Sequence, residues 1–462
     1  MPTPREWLAL LEPRLDQQRR DIQVYEDYYN GNHRLAFATA KFRATFGDLF
    51  TTLADNWCEI VVDAPVERLT VEGFRFPLND GDSRLDQDAW AIWQENNLDA
   101  ESPMAHTEAV KDGKAFVLVA PPEFDGDSPI ITVEHPSQVI VAHAAGNRRV
   151  RLAALKKWTD EDGYAMATVY LPDGIHRFRA RQPIGQYGLN AETVWGERLE
   201  LPFVENPLGV VPMLPLYNNP TMVGGGRSDL LPAIPIQDAI NKELADMLIA
   251  SEFAAFPQRV LMGVDVPKDP ETGEPLPGVE LKAAVSRFWA FDNENAKVAE
   301  FSAANLSNYV APIEMLIRHL AAQTRTPPHY LLGEIVNASG DALKAAETGL
   351  VAKVRRKQID FADTWEEAIR LALRVSGAAV PAKASAAETI WGDPEYRSEG
   401  EVVDAAVKRR TLGIPLEQIW ADIGYSPQQI ETMKNMAGLP DRPPAGATTS
   451  AVPSNGDVPP LQ

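Results

Sequence analysis

The chain is poor in residues that carry covalent chemistry. It has one cysteine, Cys58, in 462 residues. A single thiol excludes an intrachain disulfide and fits a reducing compartment. Cys58 stands in the largely apolar "LADNWCEIVVDAP" and reads as a small buried hydrophobe rather than a nucleophile. No uninterrupted apolar run approaches the ~18 residues of a membrane span, so no membrane partner is expected. The opening "MPTPREWLALLEPRLDQQRR" lacks the basic and apolar regions of a secretory leader. The seven histidines are scattered, with no H-E-x-x-H and no Cys/His ligand spacing. No metal is therefore expected, at His319 and His329 included. There is no G-x-x-x-x-G-K-[ST] to cradle a phosphate and no G-x-S-x-G elbow, so neither cofactor nor catalytic residues are expected. Carboxylates are plentiful, but most fall on predicted solvent faces and no catalytic pair stands out.

Positive charge is also scarce. Lys and Arg total 44 against 65 Asp and Glu, a formal net charge of −21. Such a molecule repels nucleic acid at long range, which argues against a conventional DNA-binding module. It leaves room for a protein that touches DNA without holding it. Tight binding neutralises many phosphates, whereas a channel in which DNA slides needs few such contacts.

What is present is an ordinary globular apolar fraction, 45%, on a chain long enough for two or more lobes. Residues 4–29 read as a helix, with Trp7, Leu8, Leu11, Leu15, Ile22, Tyr25 and Tyr29 at helical spacing and Asn30-Gly31 as its stop. "DLFTTLADNWCEIVVDAPVERL" reads as a second helix and "DAWAIWQENNLD" as a third. "MAHTEAVKDGKAFVLVAPP" predicts a helix, a turn at Asp112-Gly113 and a buried strand. From there to about Pro220 the pattern is β-rich, with Gly, Pro, Asn and Asp at the turns. The first half is thus an α+β lobe.

"GGGRSDLLPAIPIQDAINKELADMLIASEFAAF" changes the character. A glycine run leads into a helix that carries Ile236, Ile240, Leu244, Met247 and Leu248 on one side. Pro232 and Pro235 suit its opening turn. The glycine run lacks the lysine and clear preceding strand of an anion site, and reads as a hinge. A small β segment then surrounds a Pro-rich acidic loop, and "NLSNYVAPIEMLIRHLAAQTRT" is again helical.

"TRTPPHYLLGEIVNASGDALKAAETGL" follows. Two prolines end one helix, glycines flank a short loop, and a long helix starts near Ser339. That helix carries Leu343, Ala346, Leu350, Val354, Phe361, Trp365, Ile369 and Leu373, and also a basic run, Lys353, Arg355, Arg356 and Lys357. Two readings of the run stand. One is a solvated face paired with Glu347, Asp360 and Asp363. The other is contact with DNA phosphates or a neighbouring subunit. "ASAAETIWGDPEY" reads as a returning strand, and short helices follow with stops at Gly413 and Gly424. The remainder, from Leu439, is rich in Pro, Ser, Thr and Gly and reads as disordered. Two helices flanking a β insertion form a stalk, and apolar stalk faces need neighbouring copies to cover them.

Four blocks in order carry a resemblance: "YYNGNHRL", "LADNWCEIVVDAPVERLTVEGFR", "GRSDLLPAIPIQDAINKELADML" and "TRTPPHYLLGEIVNASGDALKAAETGL". They span about residues 25–375. The chain resembles the portal proteins of long-tailed bacteriophages of Gram-positive hosts. The resemblance implies an α+β fold with an α/β wing, a helical stem, a small β-containing clip and a helical crown, assembled as a dodecameric ring around a DNA tunnel. Carried over, the wing is 1–226, joined by the long helix and strand of 341–397. The stem helices are 227–255 and 304–326, and the clip is 256–303. The tunnel loop is 327–340, the crown 398–438 and the tail 439–462. Gly333, Glu334, Ile335, Val336, Asn337, Ala338, Ser339 and Gly340 would be the DNA-facing part of the tunnel loop. Lys268, Asp269, Glu271 and Glu274 would face a partner from the clip. The implied protein is not an enzyme. It would sit at one capsid vertex of the virion after assembly in the host cytoplasm. Its implied partners are itself, terminase, a head–tail connector, major capsid and scaffolding proteins, and weakly bound double-stranded DNA. The competing readings are a terminase-like DNA-processing or ring enzyme, which calls for a Walker motif or clustered metal-binding carboxylates, and a multidomain binding protein.

Overall fold

The structure is a computed structural model. It describes residues 2–33, 55–76, 84–122, 124, 127–183, 193–198, 201–255, 259–262, 297–300, 305–333, 340–377, 387–395, 399–425, 429–430 and 432–434.

Helix α1 (Pro4–Tyr29) begins with a reciprocal cap. Glu6 N–H donates to Thr3 Oγ1 at 3.3 Å, and Thr3 N–H donates to the Glu6 carboxylate at 2.7 Å. Asn30 caps its end and Gly31, at φ +76°, turns the chain away. Helices α2 (Trp57–Val66), α3 (Arg84–Glu95) and α4 (Leu98–Asp112) follow, with β1 (Val71–Arg75) between α2 and α3. The part of the expected second helix before Asp55 lies outside the described residues. Gly113, at φ +83°, makes the turn into β2 (Lys114–Ala120), as the Asp-Gly pair predicts.

The β-rich region resolves into β3 (Ile130–Glu134), β4 (Val139–Ala144), β5 (Asn147–Thr159), β6 (Tyr164–Tyr170), β7 (Gly174–Pro183), β8 (Trp195–Glu197), β9 (Phe203–Glu205) and β10 (Met213–Tyr217). Strand β2 is central in an antiparallel sheet ordered β10-β2-β3. The larger sheet runs β4-β5-β6-β7-β8, with β9 also paired to β7. The apolar stripe of α1, Leu8, Leu11 and Leu15, packs on Ala153, Leu155, Val169 and Phe178 of this sheet. Phe116, Val139, Tyr170 and Met213 fill a second small core joining the two sheets.

The rest is α5 (Ile234–Ala255), β11 (Arg259–Met262), β12 (Lys297–Glu300), α6 (Ser307–Thr324), α7 (Pro328–Leu332), α8 (Gly340–Val375), β13 (Glu388–Trp391), α9 (Glu399–Thr411) and α10 (Leu416–Ile423). Strands β11 and β12 pair antiparallel, so the chain leaves α5 and returns to α6, and the two helices pack together. Strand β13 pairs antiparallel with β1, which carries the chain back to the first lobe. Helix α8 lies across the main core. Its Leu350, Val354, Phe361, Trp365 and Ile369 are buried with Val61, Trp93, Ala109, Val117 and Ile240. Ala346 is exposed, because the start of α8 projects past that core. Gly413 (φ +83°) and Gly424 (φ +102°) sit where the sequence places the stops of α9 and α10.

The α+β class holds. In the glycine run Gly224 and Gly225 face open space, while Gly226 is packed. A Cβ on Gly226 would meet Gly113 O at 1.8 Å, and Asp229 N–H donates to Val110 O at 3.0 Å. The first helix of the stalk starts at Ile234 rather than at 227, because Ser228, Asp229, Leu230 and Ala233 are buried before it begins.

Candidate functional site

The segment between α6 and α8 is held on both sides. At the end of α6, Arg325 takes the left-handed conformation (φ +57°) and Thr324 Oγ1 donates to Leu320 O at 2.7 Å. Pro327 is extended, and α7 follows rather than the loop expected from 327 onward. Pro328 suits its first position, where no N–H is needed. Leu331 is buried, and Tyr330 OH accepts a hydrogen bond from Arg68 Nη2 at 2.6 Å. The same guanidinium reaches Pro394 O at 3.0 Å and Glu347 on α8 at 3.3 Å. One side chain thus ties α7, α8 and the segment after β13 to the end of α2. Gly333, at φ +66°, ends α7 in a conformation that glycine adopts without strain. The chain next enters the described structure at Gly340, already the first residue of α8.

The far side is fixed by α8. Lys353 Nζ donates to Thr324 O, the last carbonyl of α6, at 3.0 Å and lies 2.8 Å from Asp229 Oδ2. Lys357 Nζ lies 2.8 Å from the same oxygen and donates to Asn218 Oδ1. Asn218 and Asn219 each donate to Asp229 Oδ1, at 2.9 and 2.8 Å. Burial opposes ionisation of Asp229, but the two ammonium groups outweigh it and hold its carboxyl well below the usual carboxylate range. Burial pulls Lys357 down to about 8, with Asp229 opposing that shift. A buried carboxylate between the buried Lys357 ammonium and the partly buried Lys353 ammonium is a fixed joint, since breaking it strands charge.

A family model described as "Phage portal protein, SPP1 Gp6-like" matches residues 8–437. The chain belongs to this family of phage portal proteins. It is 34% identical over 395 residues to the portal protein of Mycobacterium phage L5, covering 81% of this chain and 76% of that one. It is also 34% identical over 439 residues to the portal protein of Mycobacterium phage D29, covering 91% and 85%. A solved structure described as the virion of a native gene transfer agent particle aligns with a TM-score of 0.40 and 15% identity, over 83% of this chain and 88% of that one. At that score nothing rests on the likeness.

Within this portal chain the residues expected to act fall into three groups. Gly333 and Gly340 stand at the two ends of the connecting segment. Glu334, Ile335, Val336, Asn337, Ala338 and Ser339 lie outside the described residues, as do Lys268, Asp269, Glu271 and Glu274 of the loop between β11 and β12. The basic run divides. Lys353 and Lys357 face inward onto Asp229, which neither sequence reading foresaw. Arg355 and Arg356 face outward, 54% and 62% exposed. Their carboxylate neighbours are Asp393 and Glu395 for Arg355, and Asp360 for Arg356. The Arg355 pairs are exposed and weak and leave its guanidinium free to exchange partners, whereas the Asp360 carboxylate paired with Arg356 is nearly buried.

Asp229, Asn218, Arg68 and Tyr330 were not singled out in the sequence, and Glu347, expected to pair with the basic run, pairs with Arg68. For Lys357 a signal existed, since positions 350, 354, 357, 361 and 365 form one continuous helical stripe. Cys58 is fully buried, and burial pushes its thiol up to about 12, which suits a packing residue. Among the described residues, metal-ligand geometry occurs at Glu26, Glu108, Asp112 and His135, away from this segment.

Proposed function

We propose that this portal chain assembles as a ring, with twelve subunits the expected number, at one vertex of the phage capsid. The ring conducts double-stranded DNA inward during packaging and outward during ejection. It nucleates head assembly with the major capsid and scaffolding proteins, docks the terminase motor, and later binds the head–tail connector. It is a structural component, and nucleotide hydrolysis is assigned to terminase.

In this reading residues 1–226 and 341–397 are the wing, 227–255 and 304–326 the stem with its first helix beginning at Ile234, 256–303 the clip, and 398–438 the crown. Residues 333–340 are the part of the tunnel loop that reaches the axis. The observation that carries it is the bracket around 334–339. Arg68 and the packing of α7 fix the approach, and the Lys353–Asp229 contact fixes the exit. With α7 anchored before it and α8 anchored from Glu347 and Lys353 onward, 334–339 is the proposed movable element. It contains no Lys or Arg, so it meets DNA through packing and weak polar contact, which permits sliding. The exposed Arg355 and Arg356 are assigned to contact with DNA or a neighbouring subunit. The acidic balance of the whole chain favours passage over retention.

Negative-stain imaging of the purified full chain tests the assembly. Annular particles with a central hole are expected. Particles without a hole, or a strictly monomeric protein at assembly concentrations, contradict the reading.

A further inference from the structure

Four side chains from distant parts of the sequence converge where α1 crosses α4. Glu26 comes from α1, and Glu108 and Asp112 from one face of α4, four residues apart. His135 comes from the turn between β3 and β4. One donor atom from each lies within 4.8 Å of all the others. Donors about 2.0–2.6 Å from one ion lie up to about 5 Å apart, so this is the span of a single coordination sphere.

The group is not simply an ion-pair network. Lys111 Nζ lies 2.9 Å from Glu26 Oε1 and 2.8 Å from Glu108 Oε2. His135 Nε2 lies 3.1 and 3.0 Å from the same two oxygens. Both nitrogens therefore serve Glu26 and Glu108. Asp112 is left over. It is 4% exposed, and neither of its carboxylate oxygens has a hydrogen-bond partner among the described residues. A buried carboxylate without a partner is costly, and this one is aimed at two more carboxylates and an imidazole.

We propose that Glu26, Glu108, Asp112 and His135 form a divalent-cation site that clamps α1 to α4 and the β3–β4 turn. Three carboxylates, one divalent ion, the Lys111 ammonium and a neutral His135 sum to zero charge, whereas without the ion Lys111 and a protonated His135 together offset only two of the three carboxylates. Lys111 has a long stem and can withdraw its head as the ion enters. His135 Nδ1 accepts from Ser137 N–H at 3.0 Å and lies 2.8 Å from Ser137 Oγ, which turns Nε2 toward Glu26 and Glu108; ligation through Nε2 moves the ring proton to Nδ1, where Ser137 Oγ can accept it. Glu26 and His135 also line a cleft of about 860 Å³, which gives an ion a path in. The mixed set of three oxygens and one nitrogen suits manganese or zinc better than magnesium, which prefers all-oxygen shells and keeps its waters.

The test is a Mn2+ titration of the full chain, followed by loss of the free-ion paramagnetic resonance signal. One ion per chain is expected, resisting displacement by a large excess of Mg2+. Asp112→Asn keeps the shape of the side chain and should weaken binding about tenfold or more. Glu26→Gln, on the more accessible side of the cluster, should do the same and serves if Asp112→Asn does not fold. Lys111→Met removes the internal competitor and should tighten binding. Absence of saturable binding, or unchanged affinity in a folded Asp112→Asn or Glu26→Gln protein, overturns the site.

Discussion

Lys357 on α8 and Asp229 before α5 meet in the interior, with Nζ 2.8 Å from Oδ2, and both side chains are almost fully buried. Lys353 reaches the same oxygen and also Thr324 O at the end of α6. One carboxylate thus joins the segments that precede α5, end α6 and form α8. We predict that Asp229→Ala, which strands two ammonium groups, costs about 3–5 kcal/mol. Chemical denaturation of the unassembled chain would measure it. A loss below about 1 kcal/mol would mean that the joint is incidental.

Arg68 holds the approach to the connecting segment through Tyr330, Pro394 O and Glu347. Arg68→Ala is expected to lose about 2–3 kcal/mol from these charge-assisted hydrogen bonds. The local readout is amide hydrogen exchange. The amides of 328–333 should exchange faster than in the parent chain, while those of β5 and β6 are unchanged. Equal protection at 328–333 would show that α7 does not depend on Arg68.

His106 carries the acid sensitivity of the main core. It is fully buried, its Nε2 accepts from Trp365 Nε1 at 3.0 Å, and burial pulls it from 6.5 down to about 3. The folded state therefore keeps His106 neutral where the unfolded chain has already taken up a proton. Its contribution is full above pH 6.5 and is lost as pH falls toward 3, with a slope of about 1.4 kcal/mol per pH unit. Comparing denaturation of the parent and His106→Gln between pH 7 and pH 4 isolates it. The variant should be less stable at pH 7 and lose the steeper part of the slope. Parallel curves would assign the acid sensitivity to other groups.

Much of this arrangement was legible because it is local. Leu8, Leu11, Leu15 and Ile22 mark the buried face of α1, and the Asp112-Gly113 turn and the stops at Gly413 and Gly424 fall where glycine can take positive φ. What was not legible depends on polar residues meeting across the fold. Gln18 lies on the apolar stripe of α1 yet is buried, because its amide donates to Val139 O at 2.8 Å. Lys357 completes the stripe of α8 for the same kind of reason, and no periodicity names Asn218 and Asp229 as its partners. Glu108 and Asp112 have legible helical spacing, but Glu26 and His135 join them only through the crossing of α1 over α4. The α7 helix was hidden by its prolines, which read as the stop of α6, whereas α6 already ends at the Arg325 cap and Pro327 and Pro328 are the N-cap and first residue of α7.

The segment "DVPKDPETGEPLPGVE" between β11 and β12 is acidic and proline-rich, and in the proposed function it docks a partner rather than DNA. Replacing it with a short Gly-Ser linker is expected to leave assembly intact and to weaken binding of terminase or the connector. Pull-down of each partner on the assembled variant would measure this. Undiminished affinity for both would remove the loop from the docking surface.

The central claim is that residues 333–340 line the narrowest part of a DNA passage and move between fixed ends. Packaging and retention of the genome by particles carrying a shortened segment, or Val336→Pro, tests it most directly. Capsids with a normal portal vertex are expected to form and then fail to package or to hold full-length DNA. Normal packaging and retention of full-length genomes by both variants would contradict the claim and leave the segment a plain connector.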